Sequence, residues 1–248
     1  MLNHIANEVK INAPPNRIKE ILNAIKSDEH GLGSIDFNKI IPMPEDLNIK
    51  SESLADTAME IYQTMQENGI TYKGDGHFAI ADANALNMTI AYFLEKYGEK
   101  IIADPALIDY GKECYENTSK FGAPTWYEWC AKNWGTKENA FGYEYHPAYK
   151  EGSDTIIFDT AWDGVPNILT KLSQRFPDAV LHYRWADEDI GQNTGKIDFS
   201  GGTAISAYCP ERGSIEAMSL ASSIMKDTTV TPESHHAEEL NIFQGISQ

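Results

Sequence analysis

Two stretches of this sequence, about 150 residues apart, carry the same succession of signals, and that repetition restricts the fold more than any other feature. In the first, Ile5, Asn7, Val9 and Ile11 alternate with Ala6, Glu8, Lys10 and Asn12, the period of a strand with one mostly apolar face. Pro14 and Pro15 end it, and Pro15 suits the first turn of a helix, where its missing N–H would have no partner. Ile18, Ile21, Leu22 and Ile25 follow at helical spacing. After Gly31 and Gly33, Ile35 to Ile41 reads as a second strand closed by Pro42 and Pro44. In the second stretch, Thr155 to Trp162 reads as a strand, and Pro166 opens a helix with Val165, Ile168, Leu169, Leu172 and Phe176 in register. Val180 to Asp187 then returns as a strand with Leu181, Tyr183 and Trp185 on one face.

Each β-α-β unit alone has too few strands to bury its own core. Four strands sharing one sheet, with both helices on one face, make a ferredoxin-like split β-α-β sandwich of the α+β class. In that fold Thr155–Trp162 and Val180–Asp187 run in the same direction on either side of the first strand. Trp162 and Asp187 to Asp189 are then expected at one end of the sheet, beside Asn3 and His4, with Trp134 to Lys137 within reach.

Between the two units lies a large helical insertion, about residues 50–135. Ser53 and Asp56 read as a cap for a helix carrying Leu54, Ala58, Ile61 and Met65, and residues 70–81 read as a loop. A helix after Asp82 carries Leu86, Ile90, Phe93, Leu94 and Tyr97, and another after Asp104-Pro105 carries Leu107, Ile108, Cys114 and Tyr115. Thr125 and Glu128 form a capping box for a short helix with Trp126, Trp129 and Cys130. Gly201-Gly202 joins Gly195–Ser200 to Thr203–Tyr208 as an added C-terminal β-hairpin. Ile215 to Met225 reads as a final helix. The expected organisation is one composite domain over residues 1–226, its sheet drawn from 1–45 and 150–210, and a polar tail over 227–248.

The charge narrows the partners. Thirty-seven acidic residues against twenty basic ones leave a net charge of −17. That excludes non-specific nucleic-acid binding, which needs clustered Lys and Arg, and attraction to an anionic membrane surface. It fits a well-solvated surface, a cationic partner or mimicry of nucleic acid. Cys114, Cys130 and Cys209 form no Cys-x-x-Cys, so neither a disulfide framework nor a zinc knuckle is expected. The start, Met1-Leu2-Asn3-His4, shows no basic region followed by an apolar one, and no apolar run is long enough for a membrane span. A bacterial host cytoplasm is the expected compartment.

Four motifs occur in order: Asp36-Phe37-Asn38-Lys39-Ile40-Ile41-Pro42-Met43-Pro44, Asn133-Trp134-Gly135-Thr136-Lys137, Phe158-Asp159-Thr160-Ala161-Trp162 and Ala186-Asp187-Glu188-Asp189-Ile190-Gly191. In this the chain resembles the YubB-like family, phage- and plasmid-borne proteins named for a ferredoxin-like domain. Glu138 stands where similar sequences carry a second Trp. The resemblance implies the fold and a mobile-element origin, and implies no particular reaction.

The chemistry-bearing candidates are few. Asp187-Glu188-Asp189 offers oxygen ligands, but neighbouring strand residues face opposite ways, so Asp187 and Asp189 alone would converge on Mg²⁺ or Ca²⁺. Asp159 or Asp163 would have to complete such a site. The competing reading is a strand-terminal acidic turn whose carboxylates bind the following Ile190-Gly191-Gln192 backbone. Trp134-Gly135-Thr136-Lys137 sets an aromatic beside a phosphate-capable Lys but lacks the upstream glycine of a P-loop. Trp126, Trp129 and Trp134 suit a core. Trp162, at a turn into Asp163-Gly164, either packs the insertion or lines a cleft. His235-His236, with Glu233, Glu238 and Glu239, lies in the polar tail and suits solvent better than a metal. No Gly-x-Ser-x-Gly, His-Glu-x-x-His or Cys/His pairing marks covalent catalysis.

The leading expectation is an accessory protein without enzymatic activity that binds a host protein or small polar ligand, interference with host defence being one form of that role. Its candidate ligand-binding residues are Trp134, Thr136, Lys137, Asp159, Trp162, Asp187 and Asp189, with no cofactor and no metal assigned. The alternatives are a metal-dependent hydrolase or nucleotide-processing enzyme built on Asp159, Asp187 and Asp189, and an acidic nucleic-acid mimic.

Overall fold

The structure, a computed structural model, describes residues 3–74, 76–80 and 90–228. Contacts divide the chain into two units, Met1–Pro42 with Cys130–Gln248, and Met43–Trp129. The first unit opens with β1 (His4–Asn12) and α1 (Pro15–Ile25), which starts at its proline and buries Ile21, Leu22 and Ile25. The expected second strand is absent. Phe37–Lys39 is a 3-10 turn, capped by the Asp36 carboxylate accepting from the Asn38 N–H.

The reason is that no strand is needed to satisfy this backbone. The Ile35 N–H and C=O both bond the Tyr143 hydroxyl, at 3.1 and 3.0 Å. The Asp36 N–H donates to the Ile25 carbonyl and the Phe37 N–H to Asn139 Oδ1. Ile35 and Phe37 are still buried, so the apolar alternation was real while the ladder was not.

The second unit contains α2 (Ala55–Glu67), β2 (Ile70–Tyr72), β3 (Phe78–Ile80), α3 (Ile90–Ala103) and α4 (Leu107–Phe121). Leu54 precedes α2 without a side-chain cap, so the Ser53–Asp56 cap does not form. Residues expected as a loop hold the β2–β3 hairpin, and Leu86 lies outside the described residues. Gly111 lets α4 cross α2 closely, since a Cβ there would meet the Ala58 carbonyl. Phe93, Tyr97 and Ile101 of α3 pack with Ile61, Met65 and Ile108 into this unit's core. The short helix α5 (Trp126–Asn133) follows Thr125, whose hydroxyl oxygen accepts from the Tyr127 N–H and donates to the Glu128 carboxylate, a capped start whose bonds differ from the reciprocal backbone pair of a capping box.

The remaining elements complete the sheet: β4 (Thr155–Ala161), α6 (Pro166–Arg175), β5 (Val180–Asp187), β6 (Thr194–Ser200), β7 (Thr203–Tyr208) and α7 (Ile215–Thr228). The strand order is β4-β1-β5-β6-β7, with every neighbouring pair antiparallel. β4 and β5 therefore run the same way on either side of β1. This is an α+β, ferredoxin-like arrangement with a helical insertion and the expected hairpin, whose Gly201 and Gly202 both have positive φ. α7 extends to Thr228, so Asp227 belongs to a helix; the rest of the expected tail, His235-His236 included, lies outside the described residues.

Alternation sorts the strands into two faces. Asn7 pairs with both Phe158 and Trp185, and Ala6 with both Asp159 and Ala186. The Asn7 face carries Tyr183, whose hydroxyl bonds the N–H of Val165 at the start of α6. The opposite face carries Ala186, which packs with Ala221 and Ile224 of α7.

Candidate functional site

At the end of the sheet where β4 and β5 finish, His4 pairs with Ala161 and Ile5 with Asp187. The Trp162 N–H donates to the Asn3 carbonyl at 3.0 Å, and Asn3 Nδ2 donates to Asp187 Oδ2 at 2.8 Å. Trp162 and Asp187 thus flank the start of β1 at one end of the sheet, as the topology required.

The turn after β4 is unusual. The Asp163 N–H donates back to the Ala161 carbonyl at 2.9 Å, and Trp162 between them has φ 70°. That is a γ-turn of the strained kind. Among the described residues Trp162 is the one non-glycine with positive φ, a conformation costing on the order of 1–3 kcal/mol. Its ring is 42% exposed.

A network anchored on the buried Asn7, Thr160 and Tyr183 holds this turn. Thr160 Oγ1 donates to the Asp163 carbonyl at 2.7 Å and accepts from Asn7 Nδ2 at 2.9 Å. Tyr183 donates its hydroxyl proton to Asn7 Oδ1 at 2.7 Å and accepts from the Val165 N–H. Burial pushes the Tyr183 phenol far above its usual range, so it stays protonated. Asp163 Oδ1 accepts from the Gly164 N–H and from Asn193 Nδ2, while Asn193 Oδ1 accepts from Trp185 Nε1. Gly164 sits against the Tyr183 hydroxyl and the Trp185 ring, where a Cβ would come within 2.5 and 3.0 Å.

Of the candidate residues, the sheet end gathers some and not others. Thr136 is buried and donates to the Ala161 carbonyl at 2.8 Å, and Lys137 Nζ lies 4.9 Å from the centre of the Trp162 ring. Lys137 Nζ also stands 3.4 Å from Glu138 Oε1. Trp134 is instead a core residue: it packs edge-on against Phe37, and its indole N–H donates to the Ile41 carbonyl. Asp187 is buried and fully engaged, accepting from Asn3 and, through Oδ1, from the Asp189 N–H at 2.8 Å. An acidic turn forms here, but the backbone group that the Asp187 carboxylate binds is the Asp189 N–H, not the expected Ile190-Gly191-Gln192 stretch. Asp189 itself is exposed.

Asp159 belongs elsewhere. It pairs across the sheet with Ala6, whereas Asp187 pairs with Ile5, so the two carboxylates project from opposite faces. The trio proposed for metal-dependent chemistry does not converge. Among the described residues there is no group of three or more His, Cys, Asp or Glu arranged to hold a metal ion. Asp159 accepts instead from His146 Nε2 at 2.8 Å and lies 3.6 Å from His4 Nδ1.

Sequence reasoning missed His146, Asn193, Asn7 and Tyr183. Asn7 carried a signal, a polar residue on the apolar face of β1. His146 carried none, since its two partners, Asp159 and Thr228, are distant from it in sequence.

Residues 136–227 match the family model described as the ferredoxin-like domain in Api92-like protein. No curated protein matches the chain. A solved structure, protein api92 from Yersinia pseudotuberculosis, aligns over 87% of this chain and 100% of its own, with 9% identity and a TM-score of 0.37. The matched residues include the Trp162 turn and β4 to β7, while β1, which lies between β4 and β5, comes from the far end of the chain. Over that span the protein carries a ferredoxin-like domain similar to the one in Api92-like protein.

Proposed function

We propose that this is a non-enzymatic accessory protein of a phage or plasmid, working in the host cytoplasm, that binds a host protein or small polar ligand at the sheet end bearing Lys137 and Trp162. The observation that carries the reading is the Trp162 backbone. A large apolar ring is kept 42% exposed in a strained turn, on a frame of buried hydrogen bonds. A ring left this exposed gains less packing than a buried one to set against the strain, whereas aromatics are enriched among the residues that dominate recognition surfaces. The motifs shared with YubB-like proteins support the mobile-element origin. Separation of Asp159 from Asp187 removes the support for the hydrolase alternative.

The test is affinity capture from host lysate, with native mass spectrometry of the purified protein for a retained ligand, run on wild type and Trp162→Ala together. A partner or ligand held by wild type and lost by the variant, at unchanged melting temperature, is the expected result. An identical bound set for both overturns the assignment of the site.

A further inference from the structure

His146 is 8% exposed and lies between two acceptors. Its Nδ1 is 2.6 Å from the carbonyl oxygen of Thr228, the last residue of α7, and its Nε2 is 2.8 Å from Asp159 Oδ1 on β4. A carbonyl oxygen and a carboxylate oxygen only accept, and a neutral imidazole has one N–H to give. Both contacts are hydrogen bonds at once when the ring is the doubly protonated imidazolium.

We propose that His146 is a proton-operated clasp that ties the C-terminal end of α7 to the β4 edge of the sheet and releases it when the ring loses its proton.

The surroundings favour the closed, charged form. Asp159 faces the ring from β4, and the bridge between Phe141 and Asp159, with bonds of 3.1 and 2.8 Å, brings the His146 segment onto that edge. Gly142, at φ 74°, leaves room for the Asp159 carboxylate, which a Cβ would meet at 2.5 Å. Glu144 adds a negative charge from the 3-10 turn Tyr143–Tyr145. From β1, His4 stands 3.6 Å from the other Asp159 oxygen. Beyond the ring, Asp227 of α7 and Glu8 of β1 both pair with Arg184 of β5, at 2.8 and 2.7 Å. Those pairs raise the guanidinium pKa further, so Arg184 keeps its charge while His146 titrates.

Burial by itself disfavours the imidazolium, but the Asp159 bond, the Thr228 carbonyl and Glu144 outweigh it and raise the pKa above the ordinary 6.5. The sign follows from that. The clasp contributes fully below the unfolded value, and its contribution disappears as pH rises through the higher folded value. Opening does not unfold the protein, because the Arg184 pair and the packing of Ala221 and Ile224 on Ala186 remain. It frees the last described turn of α7.

Two measurements on the full chain test the clasp. The first is nitrogen-detected NMR of the His146 ring: the expected result is two protonated ring nitrogens at neutral pH and a titration midpoint above that of a free imidazole. The second is amide exchange at Lys226 to Thr228, corrected for intrinsic rates, with protection falling about tenfold between about pH 6 and pH 9. In His146→Gln the step vanishes, and in His4→Asn it persists, which separates the two imidazoles. A wild-type ring with one protonated nitrogen at neutral pH, a flat exchange profile, or a step that survives in His146→Gln overturns the proposal. The ring measurement needs no variant, so a poorly folding His146→Gln leaves the test intact.

Discussion

Lys137 Nζ lies 4.9 Å from the centre of the Trp162 ring, although the two residues reach the sheet end on different segments. The approach is fixed from below. Gly135, at φ 90°, turns the chain against the Gly164 carbonyl, and Thr136 then bonds the Ala161 carbonyl, leaving the next side chain over the indole. Cation–π contacts at exposed positions contribute about 0.5–1 kcal/mol. Such a contact is too weak to offset the strained backbone by itself.

Trp162→Gly separates strain from packing. Glycine adopts positive φ freely, so the substitution removes a strain on the order of 1–3 kcal/mol while losing ring contacts and adding backbone entropy to the unfolded chain. These offset, and urea denaturation is expected to place Trp162→Gly within about 1 kcal/mol of wild type. Trp162→Val, β-branched at a positive φ, is expected to lose about 2 kcal/mol or more. A Gly variant more than about 1 kcal/mol weaker than wild type would mean that the side chain, half-exposed as it is, packs more than its backbone strains.

Asp187 and Asp189 should respond oppositely to mutation, and neither through metal. Asp187→Ala strands the Asn3 amide and the Asp189 N–H, a loss of about 1–3 kcal/mol. Asp189→Ala removes an exposed carboxylate whose own side chain is not needed for that turn, and should stay within about 0.5 kcal/mol of wild type. Melting curves with and without millimolar Mg²⁺ should superimpose for both variants. A Mg²⁺-dependent stabilisation of wild type that Asp187→Ala abolishes would restore the metal reading.

The sheet was legible because its strands state their faces. Ile5, Val9 and Ile11 define one side of β1, and the same alternation in β4 and β5 is enough to place Trp162 and Asp187 together. Ile35 to Ile41 misled for a physical reason: an alternation over so few residues marks burial of Ile35 and Phe37, not the source of the backbone's partners. Those partners are the side chains of Tyr143 and Asn139, which no local pattern announces. The Ser53 cap failed similarly, since α2 begins one residue after Leu54 with no side-chain bond. At the site, Lys137 and Trp162 were found as motif residues. The Asp159–His146 pair was half found: the carboxylate stood out, and its real partner was reached only by folding.

Gly164 offers the sharpest test of the frame beneath Trp162. Added at Gly164, a Cβ lies 2.5 Å from the Tyr183 hydroxyl and 3.0 Å from the Trp185 ring. Gly164→Ala must therefore push Tyr183 away from Asn7 and Val165, breaking two buried hydrogen bonds, and is expected to cost about 2–4 kcal/mol. Tyr183→Phe removes the same hydroxyl directly, leaving Asn7 Oδ1 and the Val165 N–H without it, at about 1–3 kcal/mol. The two losses overlap, because the ring left by Tyr183→Phe no longer presents the atom that the methyl added by Gly164→Ala would strike. The double variant should then be more stable than the sum of the singles by about 1 kcal/mol or more, read from a double-mutant cycle in urea. Strict additivity would show that the clash is taken up by Trp185 and the backbone, and that the Tyr183 hydroxyl does not hold the turn.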